Sequence, residues 1–121
     1  MSDWWQWSPI KANQKLGFAV VGIGRFGSAV CRELLRNGAD VLAVDFSEKA
    51  IEELRQLEPT IEARVVDSTD EESMKEAGVL EMGTVVVGIS EPIEASITTT
   101  LIAKDTEGSL VKQVIARATS D

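Results

Sequence analysis

Histidine and tyrosine do not occur in this sequence of 121 residues. Proton transfer near neutral pH most often uses His, and soft-metal centres need clusters of His or Cys. Neither can be assembled here, so no catalytic residue and no dedicated metal site is expected. Asp and Glu remain able to hold Mg²⁺ or Ca²⁺ when phosphate oxygens act as co-ligands. The single cysteine rules out an internal disulfide; Cys31 follows Val30 in a helix-like stretch and reads as a small buried apolar group rather than a reactive thiol. Cations are in the minority, 12 Lys and Arg against 20 Asp and Glu, for a net charge of −8. A nucleic-acid surface needs clustered Lys and Arg and is not expected. Every apolar run is shorter than the roughly 18 residues needed to span a bilayer, so no direct membrane insertion is expected. With no cleavable leader pattern, the expected location is the cytoplasm.

What the chain does contain is a glycine-rich turn in a telling position. Phe18-Ala-Val-Val is a strand-like run that leads into Gly22, Gly24 and Gly27. The spacing Gly-x-Gly-x-x-Gly then opens a helix-like stretch with Val30, Leu34 and Leu35 on one side and Gly38 as its stop. In such a turn the first glycine permits the bend and the second lets backbone N–H groups approach phosphate oxygens. The third lets the helix pack close to the strand. The helix start adds free N–H donors and a partial positive charge. A second strand-like run, residues 40–45, ends in Asp45, 18 positions after Gly27 and close to the spacing of a ribose-binding carboxylate. Together these features predict a nucleotide site.

The rest of the chain alternates. Ser47 caps a second helix with Ala50, Ile51, Leu54 and Leu57 inward, ended by Pro59. A third strand covers about 62–67. Thr69 to Glu72 reads as a capping box for a third helix with Met74 and Ala77 inward and Gly78 as stop. The fourth strand is 84–88. Pro92 suits the first turn of a fourth helix reaching about Lys104, and a fifth strand covers 113–117. Strand–helix alternation predicts an α/β, Rossmann-like, doubly wound parallel sheet of order 3-2-1-4-5, truncated before the last strand. Its fifth strand is an open edge that invites self-association. Residues 1–15, which hold all three tryptophans (Trp4, Trp5, Trp7), read as an N-terminal extension, and 16–121 as the nucleotide-binding domain. An aromatic contact with another subunit is the alternative reading of that extension.

The candidate binding residues follow from the strand ends. Gly22, Ile23, Gly24, Arg25, Phe26 and Gly27 surround the phosphates. Asp45 accepts from both ribose hydroxyls, and Phe46 and Ser47 after it offer no Arg for a 2′-phosphate, which disfavours NADP. Arg25 adds charge at an already electropositive helix start, suiting a ligand such as ATP; the alternative is a solvated or paired arginine. Asp67 and Ser68 reach the adenine edge, or else merely enter a helix. Gly88 and Ile89, leading on to Ser90 and Glu91, lie across the cleft, and Arg117 ends the fifth strand on the base side.

The runs FAVVGIGRFGSAVCRELLRNGADVLAVD, VVDSTDEESMKEAG and VVVGISEPIEASITTTLIAK resemble the RCK/KTN N-terminal (TrkA-N) domain. More narrowly, they are similar to the cytosolic regulatory subunits of Ktr/Trk-type bacterial potassium uptake systems. The resemblance covers about residues 17–118, and the GRFG form of the loop is its most specific part. It implies a homo-oligomer, a dimer that builds an octameric ring, peripheral to the inner membrane and partnered with a potassium-translocating membrane subunit. It implies ATP, ADP or NAD(H) in the cleft, with ligand identity changing the ring and gating ion flow. On that resemblance Gly22 to Gly27 hold the phosphates, Asp45 the ribose, and Asp67 and Ser68 the adenine. It further implies that Arg25 reaches the terminal phosphate of a nucleotide in the adjacent subunit. The protein is then not an enzyme. The competing readings are the cofactor domain of an NAD-dependent oxidoreductase and an NADH redox sensor.

Overall fold

A computed structural model describes residues 17–117 of the chain. The expected N-terminal extension, with Trp4, Trp5 and Trp7, lies outside the described residues. Strand β1 (Phe18–Val21) leads to helix α1 (Arg25–Arg36), then β2 (Val41–Asp45), α2 (Glu48–Leu57) and β3 (Glu62–Val65). Helix α3 (Glu71–Ala77), a short 3₁₀ turn (Val79–Glu81), β4 (Thr84–Val87), α4 (Ile93–Asp105) and β5 (Gln113–Ala116) complete it.

The five strands form one parallel sheet of order β3-β2-β1-β4-β5, as the alternation predicts. All four residues of β1 are buried, because each face of the sheet carries its own core and side chains alternate between them. Phe18 and Val20 join Cys31, Ala43, Ile51 and Leu54 on the face of α1 and α2. Ala19 and Val21 join Val44, Met74, Val85 and Ala103 on the face of α3 and α4. After β1 the chain moves to one side of the sheet, and after β3 it crosses to the other. The loops leaving β1 and β4 therefore diverge and open a crevice at the carboxyl ends of the strands.

Element ends differ from expectation by a residue or two, and two readings are corrected. The N-cap of α3 is Asp70, which accepts from Ser73 N–H at 3.1 Å, not Thr69. The cause is local: the Asp67 carboxylate takes the Thr69 hydroxyl at 2.6 Å and its N–H at 3.0 Å, holding Thr69 in the turn before the helix. Leu57, expected inward, is 54% exposed in the last turn of α2, where the helix has drifted off the sheet. Ile51, Leu54 and Met74 are buried as expected. No helix among the described residues is long and apolar enough to cross a membrane.

Candidate functional site

Backbone geometry at the end of β1 requires its glycines. Gly22 has φ of +96°, a region that side chains strain to adopt, and donates to Val44 O at 2.9 Å. A Cβ at Gly27 would fall 1.9 Å from the Gly22 carbonyl oxygen, so nothing but glycine lets α1 seat this close to β1. Gly88 closes the other side: its N–H donates to Val21 O at 2.7 Å, and a Cβ there would lie 3.0 Å from the same Gly22 oxygen.

Donors are left over at the start of α1. The Ser28 N–H is the first to bond along the helix, to Gly24 O at 2.9 Å. The N–H groups of Arg25, Phe26 and Gly27 precede it and have no intrahelical acceptor. Gly24 supplies no side-chain cap, and no atom lies within 4 Å of where its Cβ would stand. The positive end of this 12-residue helix favours an anion at these donors.

Asp45 ties the loop down. Its Oδ2 accepts from Ile23 N–H at 2.6 Å and its Oδ1 from Ser47 N–H at 2.8 Å. The carboxylate thereby joins the end of β2 to the glycine loop, with lone pairs left for further donors. Asp67 stands at the end of β3. Its two bonds from Thr69, hydroxyl first and then backbone N–H, hold its carboxyl below the usual range. Both bonds fall on Oδ1, leaving Oδ2 free to accept, and Asp67 lines the cleft. Ser68 shares a 2.7 Å hydrogen bond with the buried Thr99 of α4, bolting the β3–α3 turn to the far side of the crevice.

The resulting cleft of about 640 Å³ falls in the range of roughly 300–1,000 Å³ of small-molecule sites. It brings together nine of the expected residues: Gly22, Ile23, Gly24, Asp45, Phe46, Asp67, Ser68, Gly88 and Ile89. Phe46 stands at its edge, 81% exposed. Phe26 and Gly27, in the first turn of α1, are not in the lining. Arg25 is not in the lining; it borders an adjoining groove between α1 and α2, which shares Ile23, Gly24 and Ala50 with the cleft. Arg117 is not in the lining either. It stacks over the Phe26 ring at 5.1 Å. Ser47, Ala50, Thr69 and Ala95 line the cleft without having been expected to. The Ser47 and Thr69 contributions were discernible as turn residues following an Asp; Ala50 and Ala95 carried no signal.

Comparison with known proteins points the same way. The TrkA-N domain model matches residues 18–121. The chain is similar to Ktr system potassium uptake protein C of Bacillus subtilis (strain 168), 42% identical over 91 residues, which is 75% of this chain and 40% of that protein. It thus spans about two fifths of that relative's length. Among solved structures it is similar to the TrkA-N domain of the inner membrane protein ybaL from Escherichia coli. That TM-score is 0.73 at 24% identity, over 88% of this chain and 75% of that one. It is also similar to the NAD(P)-binding domain of an exopolyphosphatase-related protein from Archaeoglobus fulgidus. There the TM-score is 0.71 at 26% identity, over 87% and 74% of the two chains.

Proposed function

The chain belongs to the TrkA-N domain family, and from that premise we propose that it is the nucleotide-binding part of a regulatory component of a potassium uptake system. Its ligand is an adenine nucleotide, ATP, ADP or NAD(H), and it performs no chemistry on it. Its partner is a membrane potassium-translocating subunit, beside which it lies on the cytoplasmic face as a homo-oligomer. Ligand exchange changes how the copies pack and so gates the transporter. The likeness to a Ktr protein supports the transport context.

The observation that carries the nucleotide reading is the cradle at the start of α1. Three N–H donors without intrahelical acceptors open that helix, and a carboxylate is bonded to the same loop. The donors bind phosphate oxygens, and Asp45 accepts from the ribose hydroxyls with its remaining lone pairs. A 2′-phosphate meets like charge at Asp45 with no arginine or lysine in the cleft lining to offset it. Gating requires a ligand that interacts differently with two arrangements; Arg25, absent from the cleft lining, supports a reading in which it meets a neighbouring copy.

Calorimetric titration with ATP, ADP, AMP, NAD⁺, NADH and NADPH tests this. Binding of the adenine nucleotides with NADPH much the weakest is expected. Failure of every one to bind overturns the reading, and hydride turnover would replace it with an oxidoreductase cofactor domain.

A further inference from the structure

Resting on the nucleotide reading above, we infer that Glu91 makes the cleft select its ligand by the charge of whatever lies beyond the second phosphate. A cationic oxidised nicotinamide ring is favoured there over the neutral reduced one. The two sides of the cleft are unlike. On the β2–β3 side stand Asp45 and Asp67, each already accepting two hydrogen bonds from its own turn or from the glycine loop. With adenosine on that side and phosphates over α1, the remainder of a dinucleotide extends past Gly22 and Gly88 toward the loop leaving β4. That loop is Ile89-Ser90-Glu91-Pro92, all four residues in the cleft lining.

Glu91 is the one ionisable residue of the cleft lining on that side, and it is exposed. Among the described residues it makes no hydrogen bond and no ion pair, in contrast to Asp45 and Asp67. The cleft lining contains no Lys or Arg to neutralise it. Helix α4 starts next to it and its N-terminal end acts in the opposite sense, with about half a positive charge. Glu94 in the first turn of α4 and Glu91 itself set two full negative charges against that half charge. An unpaired, solvated carboxylate attracts a cation only modestly, by a factor of roughly two to five at low salt, and the attraction fades when salt shortens the screening length.

The test measures NAD⁺ and NADH affinities by calorimetry for the wild type and Glu91→Gln, at low salt and at high salt. AMP, which has nothing beyond its first phosphate, serves as the control. The wild type is expected to prefer NAD⁺ by roughly two- to fivefold at low salt. That preference should fall toward one at high salt and in Glu91→Gln, with AMP binding unchanged by the substitution. An NAD⁺/NADH ratio identical in the two proteins, with both dinucleotides still bound, overturns the role of Glu91 and leaves the nucleotide site standing. Absence of AMP and dinucleotide binding in the wild type overturns the nucleotide reading, and this inference with it.

Discussion

At the scale of single residues, Asp45 carries two jobs that substitution can separate. Its carboxylate accepts from Ile23 and Ser47 within the protein and is placed to accept from a ribose. Asp45→Ala is expected to weaken adenine-nucleotide binding by about 2–4 kcal/mol, the worth of two charge-assisted hydrogen bonds. Measured with a 2′,3′-dideoxy nucleotide, the residual loss isolates the contribution of the loop tie. Unchanged affinity for the ordinary nucleotide would remove Asp45 from the site. Asp67 offers a pH test. Its folded carboxyl titrates below its ordinary 3.8. Its stabilising contribution is therefore complete above that value and is lost as pH falls through the lower folded value. Thr69→Val removes the hydroxyl bond, the larger cause, and should move the carboxyl back toward 3.8, read by NMR titration of the Asp67 carboxyl carbon. The glycines and Asp45 were legible in the sequence because they sit at fixed offsets along one strand–turn–helix–strand unit. The Ser68–Thr99 bond was not, since its partners are 31 residues apart and meet only when α4 folds back on the sheet.

At the scale of elements, the contact between β1 and α1 is the least forgiving. Gly27→Ala puts a methyl group 1.9 Å from the Gly22 oxygen, which no rotamer relieves because the obstacle is backbone. Helix α1 must lift or tilt. Urea denaturation is expected to show a loss of about 1–3 kcal/mol, and a variant as stable as the wild type would mean the loop is not held as described. The same displacement moves the free N–H donors. The number and order of elements were readable from periodicity, but the caps were less so. Thr69 and Asp70 are both competent N-caps by composition, and the choice between them depended on Asp67 claiming Thr69 first. Cys31 behaves as its neighbours suggested. Burial, with a smaller push from Glu58, raises its thiol to about 12, so it should resist thiol reagents at pH 8 until the fold is lost.

For the molecule as a whole, the strand order followed from alternation alone, whereas the outward placement of Arg25 could not. A position inside a glycine loop says which backbone group faces the phosphates but not which groove the residue borders. Arg25 borders the α1–α2 groove, outside the cleft. If it meets the terminal phosphate of a nucleotide held by another copy, ATP joins two copies and ADP does not. Arg25→Ala should then weaken ATP binding by about 1.5–3 kcal/mol, as for a hydrogen bond to a charged group, and ADP binding much less. Light scattering should lose any ATP dependence of oligomer size. Equal losses for both nucleotides would make Arg25 a general phosphate clamp.

The burial of β1 has a consequence for how ligand binding would be felt. Its four residues are at most 1% exposed and bonded to β2 and β4 on either side, whereas among the described residues the half-buried β5 pairs with β4 alone and Ala116 at its end is exposed. Amide hydrogen exchange should therefore be graded across the sheet, fast at β5 and slowest at β1, whose amides open only when the whole domain unfolds. The glycine loop hangs from that last-opening strand. A ligand bound there cannot leave by local fraying, so its whole binding free energy adds to the opening free energy of β1, by RT ln(1 + [L]/Kd). The β1 amides become an internal gauge of nucleotide occupancy.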